Sequence, residues 1–132
     1  KPEIEIFDSG MLATAMDLAH EGLIIPPLHF NFVLGVPGGM SGDLEDLIYL
    51  IGKLPQGATW SVAGIGRWQL PLSIAGILLN GNVRVGLEDN IHFSKGILAE
   101  GTAPFVERVA RMAKELGRAV ADVDQTRRIL SL

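Results

Sequence analysis

Asn82-Val83-Arg84-Val85-Gly86-Leu87-Glu88-Asp89-Asn90 alternates apolar and polar residues and then runs into acid. Val83, Val85 and Leu87 take one side, and Arg84, Gly86 and Glu88 the other, which is the two-residue period of a strand. Arg84 and Glu88 therefore share a face. Asp89 follows where the strand should give way to a loop. A cation and two carboxylates this close together, at the mouth of an otherwise apolar element, are costly to bury without a partner or a task. A structural ion pair at a sheet edge and a functional cluster both account for such a group.

Three similar units precede this stretch. Glu3-Ile4-Glu5-Ile6-Phe7 reads as a short strand, and Asp8 or Ser9 caps a helix through about Glu21 that Gly22 stops. Pro26-Pro27 resets the chain. Leu28 to Leu34 is a strand apolar enough to be buried on both faces. The glycine-rich turn Gly35-Val36-Pro37-Gly38-Gly39 follows it, then a helix capped by Ser41 or Asp43 with Leu44, Leu47, Ile48 and Ile51 on one face. Thr59-Trp60-Ser61-Val62-Ala63 is the third strand, Gly64-Ile65-Gly66-Arg67 its exit, and a helix covers about Trp68 to Leu79. Beyond the quoted stretch lie a loop with Ser94-Lys95-Gly96, a helix from about Ala103 to Leu116, and a short helix from Val123 to Leu130.

Strand-helix pairs that start near residues 3, 28, 58 and 82 are βα units and imply a parallel sheet. Two α/β architectures accommodate them. One is a small doubly wound sheet, complete in itself. The other is the C-terminal half of a (β/α)8 TIM barrel, which needs about 250 residues in full. The apolar content, the abrupt start at Lys1-Pro2 without an initiator Met, and the glycine-rich turns favour the half barrel. Residues 1–132 are then a single partial domain, four parallel βα units plus a short C-terminal helix. In either architecture the loops at the carboxyl ends of the strands share one face, so Val36–Met40, Gly64–Arg67 and Glu88–Asn90 converge.

The composition narrows the class of partner. The chain has 132 residues, 48% of them hydrophobic and only 20% charged. Its mean hydropathy is +0.31. Such a chain is rich for a free-standing domain, so some apolar surface is expected to meet something outside it. A net charge of -4 and the lack of any basic run interleaved with aromatics argue against nucleic acid. No apolar run reaches the roughly 20 residues of a membrane span, and no signal peptide opens the chain. The absence of cysteine excludes a disulfide frame and a thiolate site, which fits a cytoplasmic protein.

Four groups of residues carry candidate chemistry. Glu88 could ligate a hard or borderline metal, although one carboxylate makes no site. The three histidines form no HxH or HExxH pattern: His20 reads as a solvent-facing helix residue, His29 as a satisfied core or barrel-interior residue, and His92 as a neighbour of Glu88. Arg84 can grip a substrate carboxylate in a two-pronged contact, and Asp89 beside it can accept a proton from a carbon acid. Their alternative is a mutual salt bridge. Gly64, Gly66 and Arg67 could present backbone N–H groups and a cation to a phosphate, or form a plain tight turn. Val36-Pro37-Gly38-Gly39-Met40 lacks the lysine of a nucleotide P-loop, which excludes ATP and GTP. Trp60 reads as core and Trp68 as a possible pocket rim. The stripe Val106, Val109, Ala110, Ala113 and Leu116 reads as a core face.

Phe32-Val33-Leu34-Gly35-Val36-Pro37-Gly38-Gly39-Met40, Ala58 to Arg67 and Val83 to Asn90 together resemble the beta-keto acid cleavage enzymes, and the likeness runs the length of the chain. The resemblance implies a zinc-dependent TIM barrel that condenses a beta-keto acid with acetyl-CoA and releases acetoacetate and a new CoA thioester. It implies that Glu88 corresponds to the family's zinc-ligating glutamate, and that Arg84 and Asp89 correspond to the dyad that activates the keto acid. The family's HxH zinc ligands, and the early strands that carry them, have no counterpart in these residues. The chain is therefore expected to be inactive alone, to bind zinc weakly, and to need a partner. That partner is a missing N-terminal half or a second copy, within an enzyme family that tends to form homo-oligomers. The competing readings are a non-catalytic half-barrel fragment and a phosphate- or CoA-binding module built on Gly64, Gly66 and Arg67.

Overall fold

A computed structural model describes all residues, Lys1 to Leu132. Four strands, β1 (Ile4–Ile6), β2 (His29–Leu34), β3 (Thr59–Gly64) and β4 (Asn82–Val83), form one parallel sheet in the order β1-β2-β3-β4. Helices α1 (Ser9–His20), α2 (Leu44–Ile51) and α3 (Gln69–Leu78) cross over between them, and a 3-10 turn at Gly66–Trp68 leads into α3. A strand order without reversal belongs to a singly wound sheet. A doubly wound sheet would change direction at a switch point, so that alternative is excluded. A hairpin and two helices complete the chain: β5 (His92–Ser94) with β6 (Ile97–Leu98), then α4 (Ala103–Glu115) and α5 (Val123–Leu130).

The strands sort their side chains by alternation. Ile4 and Ile6, Phe30, Phe32 and Leu34, and Trp60 and Val62 face the crossover helices, where Leu12, Ala15, Leu47, Leu50 and Leu72 complete the core. Register aligns Ile6 with Phe32, Phe32 with Val62, and Val62 with Val83, so each row across the sheet is apolar on that face. The opposite face carries Glu5, His29, Asn31, Ser61 and Arg84. All six residues of β2 are buried, as a central parallel strand requires.

Local chemistry explains most boundaries. Asp8 caps α1 by accepting the Met11 N–H at 2.9 Å. Asp43 occupies the cap of α2 without a side-chain bond to the helix N–H groups, and the Ser41 hydroxyl lies within reach of both Asp43, at 2.7 Å, and Asp46, at 2.9 Å. Asp122 and Gln125 form a reciprocal capping box on α5. Gly64 is required by close approach: a β-carbon there would lie 2.4 Å from the Trp68 carbonyl oxygen.

Three expectations from the sequence change. The strand expected through Glu88 pairs only at Asn82–Val83, with the Arg84 N–H adding one more bond to Val62 O at 3.0 Å. The partner strand does not set this limit, since β3 runs on to Gly64. After Arg84 the chain bends into a turn at residues 87–89, closed by the Asn90 N–H on Gly86 O at 3.2 Å. The loop expected around Ser94-Lys95-Gly96 is the turn of the β5–β6 hairpin, with Gly96 at φ +79. The stripe on α4 is only partly core. Ala113 is buried, but Val106 and Leu116 stay exposed, and Val106, Val109 and Ala110 line a groove of about 550 Å³ that also reaches His29, Ser61 and Arg84.

Candidate active site at the carboxyl ends of the strands

The loops leaving β1 to β4 are tied to one another by main-chain bonds. The Met40 N–H donates to Phe7 O at 2.8 Å, and the Gly66 N–H donates to Asp89 O at 2.7 Å. The side chain of Gln69 donates to Gly86 O at 3.2 Å and meets Asn90 at 3.4 Å, so the first turn of α3 holds the segment after β4. Gly64–Arg67 and Glu88–Asn90 thus meet as expected, and Val36–Met40 leaves the same end of the sheet, bonded to Phe7.

Arg84 is the hub of that face. Its Nη1 donates to Glu5 Oε1 at 2.5 Å. Its Nη2 lies 3.3 Å from Asp89 Oδ1 and 3.4 Å from Glu88 Oε2. Arg84, Glu88 and Asp89 are thus brought together although the strand expected to align them stops early. A turn at residues 87–89 replaces the strand and curls both carboxylates back over the guanidinium. The two acids differ in environment: Asp89 is 5% exposed, whereas the Glu88 side chain is 85% exposed.

Burial raises the Asp89 carboxyl above the ordinary carboxylate range; Arg84 pulls it down, while Glu88 and Glu5 push it up. For Arg84, burial works against the charge, but Asp89, Glu5 and Glu88 together hold the guanidinium above its usual value. A carboxylate lifted by desolvation and facing a fixed cation is a stronger base than a solvated one, and it is already oriented.

Gly64 and Gly66 serve packing and loop closure in this arrangement, since the Gly66 N–H is occupied by Asp89 O. Arg67 is exposed, with its guanidinium 4.7 Å from the centre of the Trp68 ring. Trp68 is half-buried and wedged against Gly35 and Gly42, where any β-carbon would collide with the indole. His20 is exposed. His92 bonds to Asn90 through its backbone only, and its ring makes no hydrogen bond.

No group of three His, Asp or Glu side chains is arranged to hold a metal ion. The open carboxylate of Glu88 fits the part of one ligand. The residues of this chain do not fit a whole zinc sphere.

Glu5, Asn31 and Ser61 join the site without belonging to any of the sequence motifs. Their signal was present in the alternation of Glu3-Ile4-Glu5-Ile6, of His29 to Phe32 and of Thr59 to Val62, which marks a polar face opposite the core. His29 belongs to the same face, 2.8 Å from Thr59 Oγ1. Burial lowers its pKa from 6.5, and Lys1 adds to this while Glu3 opposes it. The imidazole is therefore neutral when folded and becomes charged more readily when unfolded. The stability this contributes is complete above about pH 6.5 and is lost as pH falls through the lower folded value. Urea midpoints measured between pH 7.5 and 5.5 are expected to fall in the parent chain and to fall less in His29→Gln. Parallel slopes would contradict the assignment.

The family model for the beta-keto acid cleavage enzymes matches residues 1–132, the entire chain. The chain belongs to the beta-keto acid cleavage enzyme family. It is 50% identical over 132 residues to the 3-keto-5-aminohexanoate cleavage enzyme of Fusobacterium nucleatum, covering 100% of this chain and 48% of that protein. It is 42% identical over 135 residues to the 3-oxoadipate:acetyl-CoA acetyltransferase of Cupriavidus necator, again covering 100% and 48%. It is 39% identical to the 3-dehydrocarnitine:acetyl-CoA trimethylamine transferase of Rhizobium meliloti, covering 44% of that protein. The chain spans about half the length of these curated relatives. No helix is long and apolar enough to cross a membrane.

Proposed function

We propose that this chain is the C-terminal half of a (β/α)8 barrel that condenses a 3-keto acid with acetyl-CoA, giving acetoacetate and a new acyl-CoA. The observation that carries the reading is the meeting of Arg84 with both Glu88 and Asp89, within 3.4 Å, on the face where the strands end. In this scheme Arg84 holds the acidic substrate and keeps Asp89 oriented. Asp89 takes the proton from the carbon between the keto group and the carboxylate. The carbanion so formed attacks the thioester carbonyl and expels CoA thiolate, which adds to the original keto carbon. Cleavage of the bond from that carbon to the alpha carbon leaves the new acyl-CoA and an acetoacetate carbanion, to which Asp89 returns the proton. A zinc ion, held by Glu88 and by ligands outside this chain, would supply positive charge beside the keto oxygen. Arg67, exposed at the rim, is the residue of the Gly64–Arg67 turn suited to a CoA phosphate.

The same reading explains the sheet. Strand β1 and strand β4 each leave one edge unpaired, and bare parallel edges are covered in folded proteins. Four more strands, from a preceding half or from a second copy, would close the ring.

The test is acetoacetate formation from acetyl-CoA and a beta-keto acid. The chain alone is expected to show none. The chain co-expressed with the preceding half of the Fusobacterium nucleatum relative is expected to turn over. Robust turnover by the chain alone removes the need for the partner, and silence in both preparations removes the proposed activity.

A further inference from the structure

Asn31 sits in the middle of the polar sheet face and is fully buried, at 0% exposure. The buried Ser61 hydroxyl donates to Asn31 Oδ1 at 2.9 Å. With its oxygen engaged there, the amide turns Nδ2 to Glu5 Oε1, 3.3 Å away. That same carboxylate oxygen takes Nη1 of Arg84, which leaves Nη2 for Asp89 and Glu88. At the other end His29 Nε2 lies 3.5 Å from Ser61 Oγ. A single hydrogen-bonded row thus links β1, β2 and β3 with Arg84, the residue just past β4, and no buried side-chain polar atom is left without a partner.

The members of this row differ in how firmly they are held. Glu5 is a long, half-exposed side chain on a three-residue edge strand. Holding such a side chain in one rotamer costs conformational entropy. Arg84 has a similar burden, and its contact with the open Glu88 carboxylate contributes little fixation. Asn31 and Ser61 are short and buried, and they stand on the two central strands, β2 and β3, which pair over six residues. Rigidity therefore enters the row at Asn31 and passes outward.

We propose that Asn31, set in one amide orientation by Ser61, is a positioning residue for Arg84: it anchors the Glu5 carboxylate that fixes the guanidinium toward Asp89. Asn31 acts through Glu5 and touches no reacting group. The inference rests on the Arg84–Asp89 reading above for its importance to catalysis, but not for its physical content. A buried polar pair that served only the core would affect folding and leave the guanidinium's freedom alone.

Rotation of the Arg84 guanidinium, read by nitrogen-15 NMR on the labelled 132-residue chain, separates the two. The parent and Ser61→Thr, which keeps the hydroxyl, are expected to show two distinct, slowly exchanging Nη signals. Asn31→Leu removes the donor to Glu5 at similar volume and should speed rotation roughly tenfold, the worth of a typical hydrogen bond. Ser61→Ala should speed it severalfold and, as the milder change, decides the matter if Asn31→Leu fails to fold. Thermal unfolding of each variant reports any purely structural effect. A freely rotating guanidinium in the parent, or unchanged rotation in the folded variants, overturns the proposal. An assembled enzyme that stays active without Asp89 would instead overturn the dyad reading and leave this coupling standing.

Discussion

Replacing Asp89 by Asn in the assembled enzyme is expected to lower kcat by roughly 10²- to 10⁴-fold, the usual worth of a positioned general base. Asparagine has the same shape and can still accept a hydrogen bond from Arg84, so the turn at residues 87–89 should survive. It cannot take a proton. The effect should be large because Asp89 is buried and its pKa is raised by that burial, against the pull of Arg84. It should fall on kcat and spare KM, since Arg84 remains to hold the substrate. The measurement is the steady-state rate of acetoacetate formation by the co-expressed halves. Activity near the parent's would mean that proton abstraction is performed elsewhere.

Phe32→Ala is expected to cost about 3–5 kcal/mol of folding stability. Phe32 is 0% exposed, and its ring stands 6.0 Å from that of Trp60 in a tilted pair. It lies between Ile6 and Val62 in the row that joins β1, β2 and β3. The neighbouring atoms belong to strands tied by hydrogen bonds on both sides, so the cavity cannot collapse cheaply. Only 27 of 132 residues are buried, which leaves a small core to absorb the loss. Domains of ordinary stability have about 5–15 kcal/mol in total. The variant should therefore be largely unfolded at modest urea, as circular dichroism would show. A loss below about 1 kcal/mol would mean that the sheet and helices are not held by this row.

The α/β class, the βα repeat and the helix positions were readable because alternation and capping are local signals. Asp8, Asp122 and the two-residue period of β2 act within a few residues of where they stand. The polar sheet face is encoded in the same way, by the alternation around Glu5, Asn31 and Ser61, but uncharged Asn31 and Ser61 carry no local sign of a shared network. The early end of β4 was not readable. It depends on the turn at residues 87–89 and on the bond that Gln69, 17 residues away in sequence, donates to Gly86 O, while β3 itself runs on to Gly64. The hairpin at His92–Leu98 escaped for a related reason: its strands are short and exposed, and thus give no periodic pattern.

The sequence by itself determined that Arg84, Glu88 and Asp89 would be neighbours, that they would sit where a strand ends, and to which family the chain belongs. Only the tertiary structure decided how unlike the two carboxylates are. Five residues' separation fixes proximity, but exposure is set by packing: Asp89 is drawn under the loops by its bond from Gly66, while Glu88 is left in water. Only the folded sheet, too, brings Glu5 to Arg84 across 79 positions, because that contact is made by strand register and no local spacing encodes it.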